Sequence, residues 1–276
     1  MTTWLITGCS TGLGLALAET VLARGDNAVV TARDTSSLDG LVARHPELAF
    51  AVELDVTKPD QISRAVELGT ERFGGIDVLV NNAGYGYRAA IEEGDDEHIR
   101  ELFEVHVFGP VNLIKAVLPQ MRARRSGAIV NISSIGARAM PPGSGYYAGV
   151  KAALETMTGS LRKELAPLGI TALAVEPGGF RTDFAGRSLT QSTTVIHDYA
   201  DTAGQRRKDK DTGHGKQPGD PTKAALAIIA ALESDETPEL LVIGSDANEF
   251  FREALEAQLE SLAAWSAVGE NTDIDE

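Results

Sequence analysis

The sequence predicts an α/β fold built on a seven-stranded parallel sheet with helices on both faces. Short apolar runs recur at regular intervals along the 276 residues, and amphipathic segments of helix length separate them. Central strands that are covered on both faces have nearly continuous apolar sequences, as these runs do. Because 43% of the residues are apolar and no linker is evident, the chain is expected to form one large domain.

The predicted strands and helices alternate along the chain. Strands are expected at residues 4–7, 27–32, 49–54, 77–80, 128–132, 171–175 and 240–243. Helices are expected near residues 13–24, 59–73, 95–122, 146–166 and 221–234, where apolar residues recur at spacings of three and four. Crossover connections between such strands build a doubly wound, Rossmann-type sheet with the strand order 3-2-1-4-5-6-7.

Two segments interrupt this alternation. Residues 183–220 are polar and contain glycine, and they lie between a strand end and the next helix, where a substrate lid sits in an open α/β sheet. A solvated surface insertion is the alternative interpretation. Residues 245–267 predict an amphipathic terminal helix that completes a domain of residues 1–268, and residues 269–276 predict a disordered acidic tail.

The composition argues against several classes of partner. A formal net charge of −15 opposes nucleic-acid binding, which needs a clustered basic surface. Cys9 is the only cysteine, so no intrachain disulfide can form, and a cytoplasmic location is expected. The N-terminus lacks a basic segment of the kind that begins a signal peptide, and no apolar stretch approaches the roughly 18 residues of a membrane span. Neither export nor membrane insertion is expected.

A glycine-rich turn directly follows the first predicted strand. Glycines at a strand-to-helix turn let the backbone approach a pyrophosphate, and the first helical turn offers free N–H groups and a positive dipole end. Its position at the start of a βαβ unit favours dinucleotide binding over an ordinary tight turn. The candidate cofactor-binding residues of this turn are Gly8, Ser10, Thr11, Gly12, Leu13 and Gly14.

The end of the second predicted strand offers two residues that could recognise the ribose of the dinucleotide. Asp34 would accept hydrogen bonds from a 2′-hydroxyl and favour NAD(H), whereas Arg33 would pair with a 2′-phosphate and favour NADP(H). Because the strand is predicted to end at Ala32, Arg33 comes first. NADP(H) is therefore favoured over NAD(H).

A tyrosine and a lysine are candidates for proton transfer. Tyr147 and Lys151 lie four positions apart, which places both side chains on one face of a predicted helix. A neighbouring cation favours the ionised form of a phenol and is expected to lower its pKa, which suits proton exchange with a carbinol oxygen. This spacing is common by chance. It gains meaning from the residues at the ends of the predicted strands.

Polar and turn-forming residues follow four of these strands. Ser134 ends the fifth strand, at the edge of the sheet where ligands of such folds bind, and its hydroxyl could bond a substrate oxygen. The other strands end in the cofactor-binding candidates Asp55, Val56, Asn82, Ala83, Gly84, Pro177, Gly178 and Thr182.

In their order and spacing, these motifs resemble those of the short-chain dehydrogenase/reductase family, in its single-domain class of about 250 residues. The resemblance spans residues 3 to about 245. It implies that Asp55 meets the adenine, that residues 82–84 flank the cofactor and that Thr182 contacts the nicotinamide carboxamide. It also implies that Tyr147 is the general acid or base, that Lys151 holds the nicotinamide ribose and that Ser134 positions the carbonyl group.

One position departs from the family's pattern. Its members usually carry an asparagine in the fourth helix, whose backbone helps a water chain to reach the lysine, and this chain has His106 there. Two interpretations are open for His106. It relays protons, or it fills space beside the water path.

The substrate side of the site is expected to be apolar and aromatic. By resemblance and by position, the residues that face the nicotinamide are Tyr85, Met140, Tyr146, Phe180 and Phe184. Such a pocket suits a hydrophobic alcohol–ketone pair, although Arg88 and Arg138 could each bind a carboxylate or be surface residues.

The sequence thus predicts an NADP(H)-dependent oxidoreductase that interconverts a secondary alcohol and a ketone without a metal ion. A nucleotide-sensing protein without turnover, and a dehydratase or epimerase of the same fold, are the alternatives. The resemblance and the small residues after Tyr147 also predict a homodimer or homotetramer.

Overall fold

The computed structural model describes residues 1–186, 188–213 and 215–274. Its main sheet has seven parallel strands in the order β3-β2-β1-β4-β5-β6-β7, which confirms the predicted fold class and strand order. The strands are β1 (Thr3–Ile6), β2 (Asn27–Ala32), β3 (Ala49–Glu53), β4 (Val78–Asn81), β5 (Gly127–Ile132), β6 (Ile170–Pro177) and β7 (Leu240–Ile243).

Helices connect the strands on both faces of the sheet. They are α1 (Gly12–Ala23), α2 (Asp39–Arg44), α3 (Pro59–Phe73), α4 (Asp96–Phe103), α5 (Gly109–Arg124), α6 (Gly136–Ala139), α7 (Gly145–Leu165), α8 (Ala203–Gly213), α9 (Pro221–Glu233) and α10 (Ser245–Gly269). The single helix predicted at 95–122 is divided by a π-helical turn, Glu104–Phe108, between α4 and α5. The short helices α2, α6 and α8 were not predicted.

Two apolar layers hold the helices against the sheet. On one face, α1 and α9 bury residues such as Leu17, Val21 and Ile228. On the other face, α3 and α5 bury residues such as Ile62 and Val117. Burial of both sheet faces explains why the strands are apolar throughout and fixes their carboxyl ends along one edge.

The predicted lid segment is folded and attached to the body of the protein. Within it, Leu189–Gln191 pairs in parallel with a short strand, Gly86–Arg88, that follows β4. The helix α8 lies further along this segment, and its side chains are described up to Lys208. We refer to residues 188–208 as the lid. The segment predicted as a lid or a surface insertion thus contains a strand and a helix that were not predicted, and its role as a lid stays a prediction.

The C-terminal helix extends slightly beyond its predicted end. The helix α10 runs to Gly269 and is followed by one short turn, Glu270–Thr272. Leu259, Leu262 and Trp265 on this helix are 65–68% exposed. Residues 275 and 276 of the predicted tail lie outside the described part of the chain.

One helical stretch of the described residues, Asp96–Arg124, is long and apolar enough to cross a membrane by length and composition alone. The same test is passed by core helices of other folds, and Leu113, Val117 and Met121 of this stretch are fully buried against the sheet. Its apolar character is accounted for by the core.

Candidate active site

A long cleft of about 1220 Å³ runs along the carboxyl edge of the sheet. Residues that are distant in sequence meet there because parallel strands end at the same edge. Every predicted catalytic and cofactor-binding residue lines this cleft, with one exception, Gly14. The predicted residues that line it are Gly8, Ser10, Thr11, Gly12, Leu13, Arg33, Asp55, Val56, Asn82, Ala83, Gly84, Ser134, Tyr147, Lys151, Pro177, Gly178 and Thr182.

Gly14 lies beneath the glycine turn rather than on the cleft. A Cβ atom at this position would be 2.4 Å from both Asn82 Nδ2 and Gly8 O, so only glycine lets α1 approach the end of β4 so closely. Gly8, with φ of +72°, would place a Cβ atom 2.9 Å from Ala83 Cα. Gly14 therefore shapes the turn by its close approach to Asn82, and its contact with the cofactor stays a prediction.

The start of α1 is suited to an anion. Thr11 precedes the helix in an extended conformation, and its side chain does not cap the helix. The N–H groups of the first helical turn thus remain available at the cleft, where the helix dipole favours negative charge. The backbone turn and this helix end fit the pyrophosphate of a dinucleotide.

Asn82 ties the end of β4 to the glycine turn. Its Nδ2 atom donates hydrogen bonds to Thr7 O (2.8 Å) and Gly8 O (3.2 Å). In return, the backbone N–H groups of Asn82 and Ala83 donate to Thr7 Oγ1, each at 2.9 Å. Asn82 acts here through the backbone of the turn, and Ala83 and Gly84 form the adjacent wall of the cleft.

Arg33 and Asp34 are oriented differently after β2. Asp34 caps the short helical turn Thr35–Leu38, and Oδ1 accepts a hydrogen bond from Ser36 N at 3.0 Å. Hydrogen bonds from Ser36 hold the pKa of Asp34 below its ordinary value. Arg33, in contrast, lines the cleft.

Tyr147 faces Ser134 at the inner end of the cleft. Burial raises the pKa of Tyr147 to about 12, and the hydrogen bond with the Ser134 hydroxyl works in the opposite direction. Ser134 is held by its own backbone: its Oγ accepts a hydrogen bond from Gly136 N at 3.0 Å. Neighbouring bonds from Ser133 N to Val175 O (2.7 Å) and from Ile135 N to Pro177 O (3.1 Å) fix this turn against β6.

Lys151 is buried beside Tyr147. Its Nζ atom donates to Ile132 O at 2.7 Å and lies 5.8 Å from the centroid of the Tyr147 ring. Burial lowers the pKa of Lys151 to about 7. The sequence predicted that Lys151 lowers the Tyr147 pKa. It does not do so here, because an amine with a pKa of about 7 has lost its charge before a phenol with a pKa of about 12 ionises.

His106 lies on the π-helical turn and is 1% exposed. Its ring meets the Tyr147 ring edge-on, with centroids 5.7 Å apart and planes at 89°. Its Nε2 atom lies 2.8 Å from Tyr85 O and 3.2 Å from Tyr85 N. Nδ1 is buried without a hydrogen-bond partner among the described residues.

Behind Ser134 and Lys151 lies a buried charged network that sequence reasoning missed. Arg138 forms ion pairs with Glu155 and with Glu176, and Glu176 is fully buried. Burial and then the neighbouring Glu155 raise the pKa of Glu176 to about 8, despite the opposing effect of Arg138. Ser133 Oγ joins the network through Glu155 Oε2 and Lys151 O, each at 3.3 Å. The suggested role of Arg138 in binding a substrate carboxylate is therefore wrong, because its guanidinium is already paired.

The substrate end of the cleft is partly as predicted. Tyr85, Phe180 and Phe184 line it, and the Phe184 ring lies 5.8 Å from that of Tyr147. Tyr146 instead donates its hydroxyl to Ile91 O at 2.5 Å. Met140 ends α6 with φ of +42° and is 62% exposed outside the cleft lining.

Arg88 also differs from its suggested role. It is the last residue of the short strand that pairs with the lid, and its Nη1 atom donates to Arg206 O of α8. Arg88 is not part of the cleft lining, so it connects the body of the protein to the lid. Ser188, Thr190 and Gln217, which sequence reasoning did not single out, supply polar groups to this end of the cleft.

The chain is similar to known proteins of one family. Residues 2–193 match the family model described as short chain dehydrogenase. The oxidoreductase BOA17 of Botryotinia fuckeliana is 40% identical over 263 residues, which cover 95% of this chain and 96% of the relative.

Two solved structures extend the comparison to three dimensions. The crystal structure of a short-chain dehydrogenase from Streptomyces avermitilis has a TM-score of 0.92 and 44% identity, and the match covers 99% of this chain and 100% of the other. A short-chain dehydrogenase from Sphingobium yanoikuyae, in complex with NADPH, has a TM-score of 0.73 and 27% identity, with 96% of each chain covered.

The fold and the site define an oxidoreductase that uses a nicotinamide dinucleotide, NAD(H) or NADP(H). This chain belongs to the short-chain dehydrogenase/reductase family.

Proposed function

We propose that this protein interconverts a secondary alcohol and a ketone by hydride transfer with NADP(H). The observation that carries the proposal is the convergence of Ser134, Tyr147 and Lys151 at the inner end of a cleft whose other end fits a dinucleotide. The nicotinamide would supply or accept the hydride, and the protein would supply orientation and the proton.

In the direction of reduction, Ser134 and Tyr147 are placed to donate hydrogen bonds to the ketone oxygen, and Tyr147 then gives it a proton. Its raised pKa keeps the phenol protonated until negative charge develops on that oxygen. Lys151, whose pKa is lowered to about 7, can exchange protons near neutral pH. In oxidation the same residues act in reverse.

The test is a screen of hydrophobic ketones and alcohols with both cofactors, followed by absorbance of the reduced nicotinamide. Tyr147→Phe should lose turnover by at least about a thousandfold, because it retains the ring and removes the proton donor. Binding of the reduced cofactor, followed by its fluorescence, should stay within about threefold of the wild type. Turnover that survives in Tyr147→Phe would contradict the assignment of the proton donor.

The same absorbance measurement separates this function from the two alternatives. A nucleotide sensor, or a dehydratase or epimerase that re-forms its cofactor, leaves the net redox state of the nicotinamide unchanged. Substrate consumption without a change in absorbance would favour the second alternative.

The preference for NADP(H) rests on Arg33 lining the cleft while Asp34 caps a turn. Arg33→Ala should raise KM for NADPH by about ten- to a hundredfold, the effect of losing one charge-assisted phosphate contact, and leave KM for NADH nearly unchanged. Arg44→Ala, at an exposed residue of α2 that pairs with Glu19, serves as the matched control. A wild-type enzyme with a clear preference for NADH would overturn this assignment.

The aromatic residues Tyr85, Phe180 and Phe184 support a hydrophobic substrate. A cytoplasmic homodimer or homotetramer, without a nucleic-acid or membrane partner, completes the proposal. It rests on the family membership and the acidic net charge of −15. A monomeric mass by light scattering at assay concentration would contradict the oligomer.

A further inference from the structure

His106 is a buried polar side chain that the proposed reaction does not use. The π-helical turn Glu104–Phe108 carries it into the space between the Tyr85 backbone and the Tyr147 ring. A Cβ atom on Gly84 would lie 2.4 Å from His106 Cε1, so the neighbouring wall of the cleft closes directly over the imidazole. The ring therefore has little freedom to turn.

The contacts of Nε2 indicate which nitrogen carries the proton. Nε2 lies 2.8 Å from Tyr85 O, an ordinary N–H···O distance, and the Tyr85 N–H, 3.2 Å from Nε2, would donate to it only if Nε2 carried no proton. If Nε2 were unprotonated, two electron-rich atoms would face each other at 2.8 Å. The shorter contact thus favours the Nε2–H tautomer with Tyr85 O as the acceptor, which leaves the buried Nδ1 without a proton.

The surroundings also keep the imidazole uncharged. Burial, and then the charge of Lys151, hold the pKa of His106 well below its ordinary value, and the hydrogen bond to the Tyr85 backbone opposes them only in part. The titratable side chains that face the ring are Lys151, Tyr85 and Tyr147. None of the three supplies a negative charge at neutral pH that would favour an imidazolium.

We propose that His106 is a positioning residue: as the Nε2–H tautomer it is fixed to Tyr85 O, and its ring holds the Tyr147 phenol in line with Ser134. The inference rests on the proposed function of Tyr147. It differs from a proton relay because His106 keeps one proton throughout. It also differs from space filling because the hydrogen bond to Tyr85 sets the orientation of the ring.

Two substitutions separate these roles. His106→Gln can still donate to Tyr85 O from an amide nitrogen near the place of Nε2, whereas His106→Phe keeps an aromatic ring and loses the donor. If His106 is a positioning residue, kcat should fall about ten- to a hundredfold in His106→Phe. The reduction in His106→Gln should be about tenfold smaller. KM for the ketone and the dissociation constant of NADPH should change by less than about threefold in both. His45→Gln, at the end of α2 and outside the cleft lining, is the matched control.

The other outcomes overturn the proposal. If Phe preserves kcat and Gln does not, His106 fills space. If both variants shift the pH profile of kcat, it relays protons. If His106 is a positioning residue, the pH profile of kcat keeps its midpoint in both variants, and only the maximal value of kcat changes.

A second measurement does not depend on turnover. In ¹⁵N-histidine NMR of the wild type, His106 should show the Nε2–H pattern unchanged between pH 5.5 and 9. Titration of His106 in this range, or an Nδ1–H pattern, would refute the proposal. An enzyme without turnover on any ketone or alcohol refutes the proposed function instead, and this NMR result still stands.

Discussion

At the scale of single residues, burial sets the acid–base properties of the site. Tyr147 and Lys151 are shifted in opposite directions, to pKa values of about 12 and about 7, because burial disfavours the charged form of each. Without a ligand, Tyr147 is therefore neutral at neutral pH and Lys151 is divided between its charged and neutral forms. In the proposed reaction, Ser134 and Tyr147 meet the negative charge that develops on a substrate oxygen. Glu176, below them, follows the same rule with a pKa of about 8.

Glu176 should make the stability of the protein depend on pH. Its folded-state pKa lies above its unfolded value, so the unfolded chain releases this proton first as the pH rises. The contribution is fully present below about pH 4.5 and is lost as the pH rises to about 8, at no more than about 1.4 kcal/mol per pH unit. Glu176→Gln mimics the protonated form, and its stability relative to the wild type should increase from pH 5 to 8 and then level off.

Urea unfolding at a series of pH values measures this difference. Glu236→Gln, an exposed position before β7, is the control and should run parallel to the wild type. A constant difference between Glu176→Gln and the wild type from pH 5 to 9 would show that Glu176 is ionised in the folded protein.

Residue positions were predictable where chain geometry decides them. Ser134, Asn82 and Pro177 follow apolar runs, and parallel strands bring such positions to one edge. Arg138 was not predictable in this way, because its partners Glu155 and Glu176 come from α7 and β6, and one sequence does not show which charges pair. The close approach of Gly14 to Asn82 was not predictable from the sequence either, because it depends on how α1 packs against the end of β4.

At the scale of elements, a buried carboxylate, Glu93, holds the lid in addition to the strand pairing and the Arg88 contact described above. Glu93 is 1% exposed, and its Oε1 accepts a hydrogen bond from Ile196 N at 2.8 Å, while Oε2 accepts from Ala90 N at 3.0 Å and pairs with Arg207 of α8. Ser192 Oγ also donates to Glu93 O. Burial alone would raise the pKa of Glu93, but these bonds outweigh it and lower the pKa.

Glu93→Gln should loosen the lid without changing the chemistry. Breaking a buried ion pair costs roughly 3 kcal/mol, so local opening should become about a hundredfold more frequent. Trypsin, which cleaves after arginine and lysine, should then cut first at residues 206–208, and KM for the ketone should rise while the dissociation constant of NADPH stays constant. Glu92→Gln, which removes only an exposed contact with Tyr199, is the matched control. Equal rates of cleavage in the two variants would argue against a latch at Glu93.

The elements that sequence reasoning missed share a physical cause. The helix α8 lies in a polar, charged segment without an apolar period, and it is held by contacts such as Glu93–Arg207 that are remote in sequence. The π-helical turn within the predicted helix 95–122 keeps the same apolar pattern on both sides, so periodicity does not reveal it. The main strands, in contrast, could be predicted because each has an apolar sequence of its own.

At the scale of the whole molecule, the sheet assembles the site from segments that are distant in sequence. The strand ends of β1, β4, β5 and β6 each supply part of the cleft, and α7 supplies Tyr147 and Lys151. The strand order predicted from the sequence is correct, because crossover connections between buried parallel strands allow few alternatives. This order brings Ser134 beside Pro177, 43 positions later in the chain.

That adjacency bears on when the enzyme becomes competent during its synthesis. A chain that has emerged from the ribosome as far as Lys151 already contains the three proposed catalytic residues, Ser134, Tyr147 and Lys151. The backbone N–H groups of Ser133 and Ile135, however, still lack their acceptors on β6, Val175 O and Pro177 O. The turn that carries Ser134 is therefore not yet fixed by these hydrogen bonds. Catalytic competence is therefore a late event of translation, reached only after β6 has left the exit tunnel and joined the sheet.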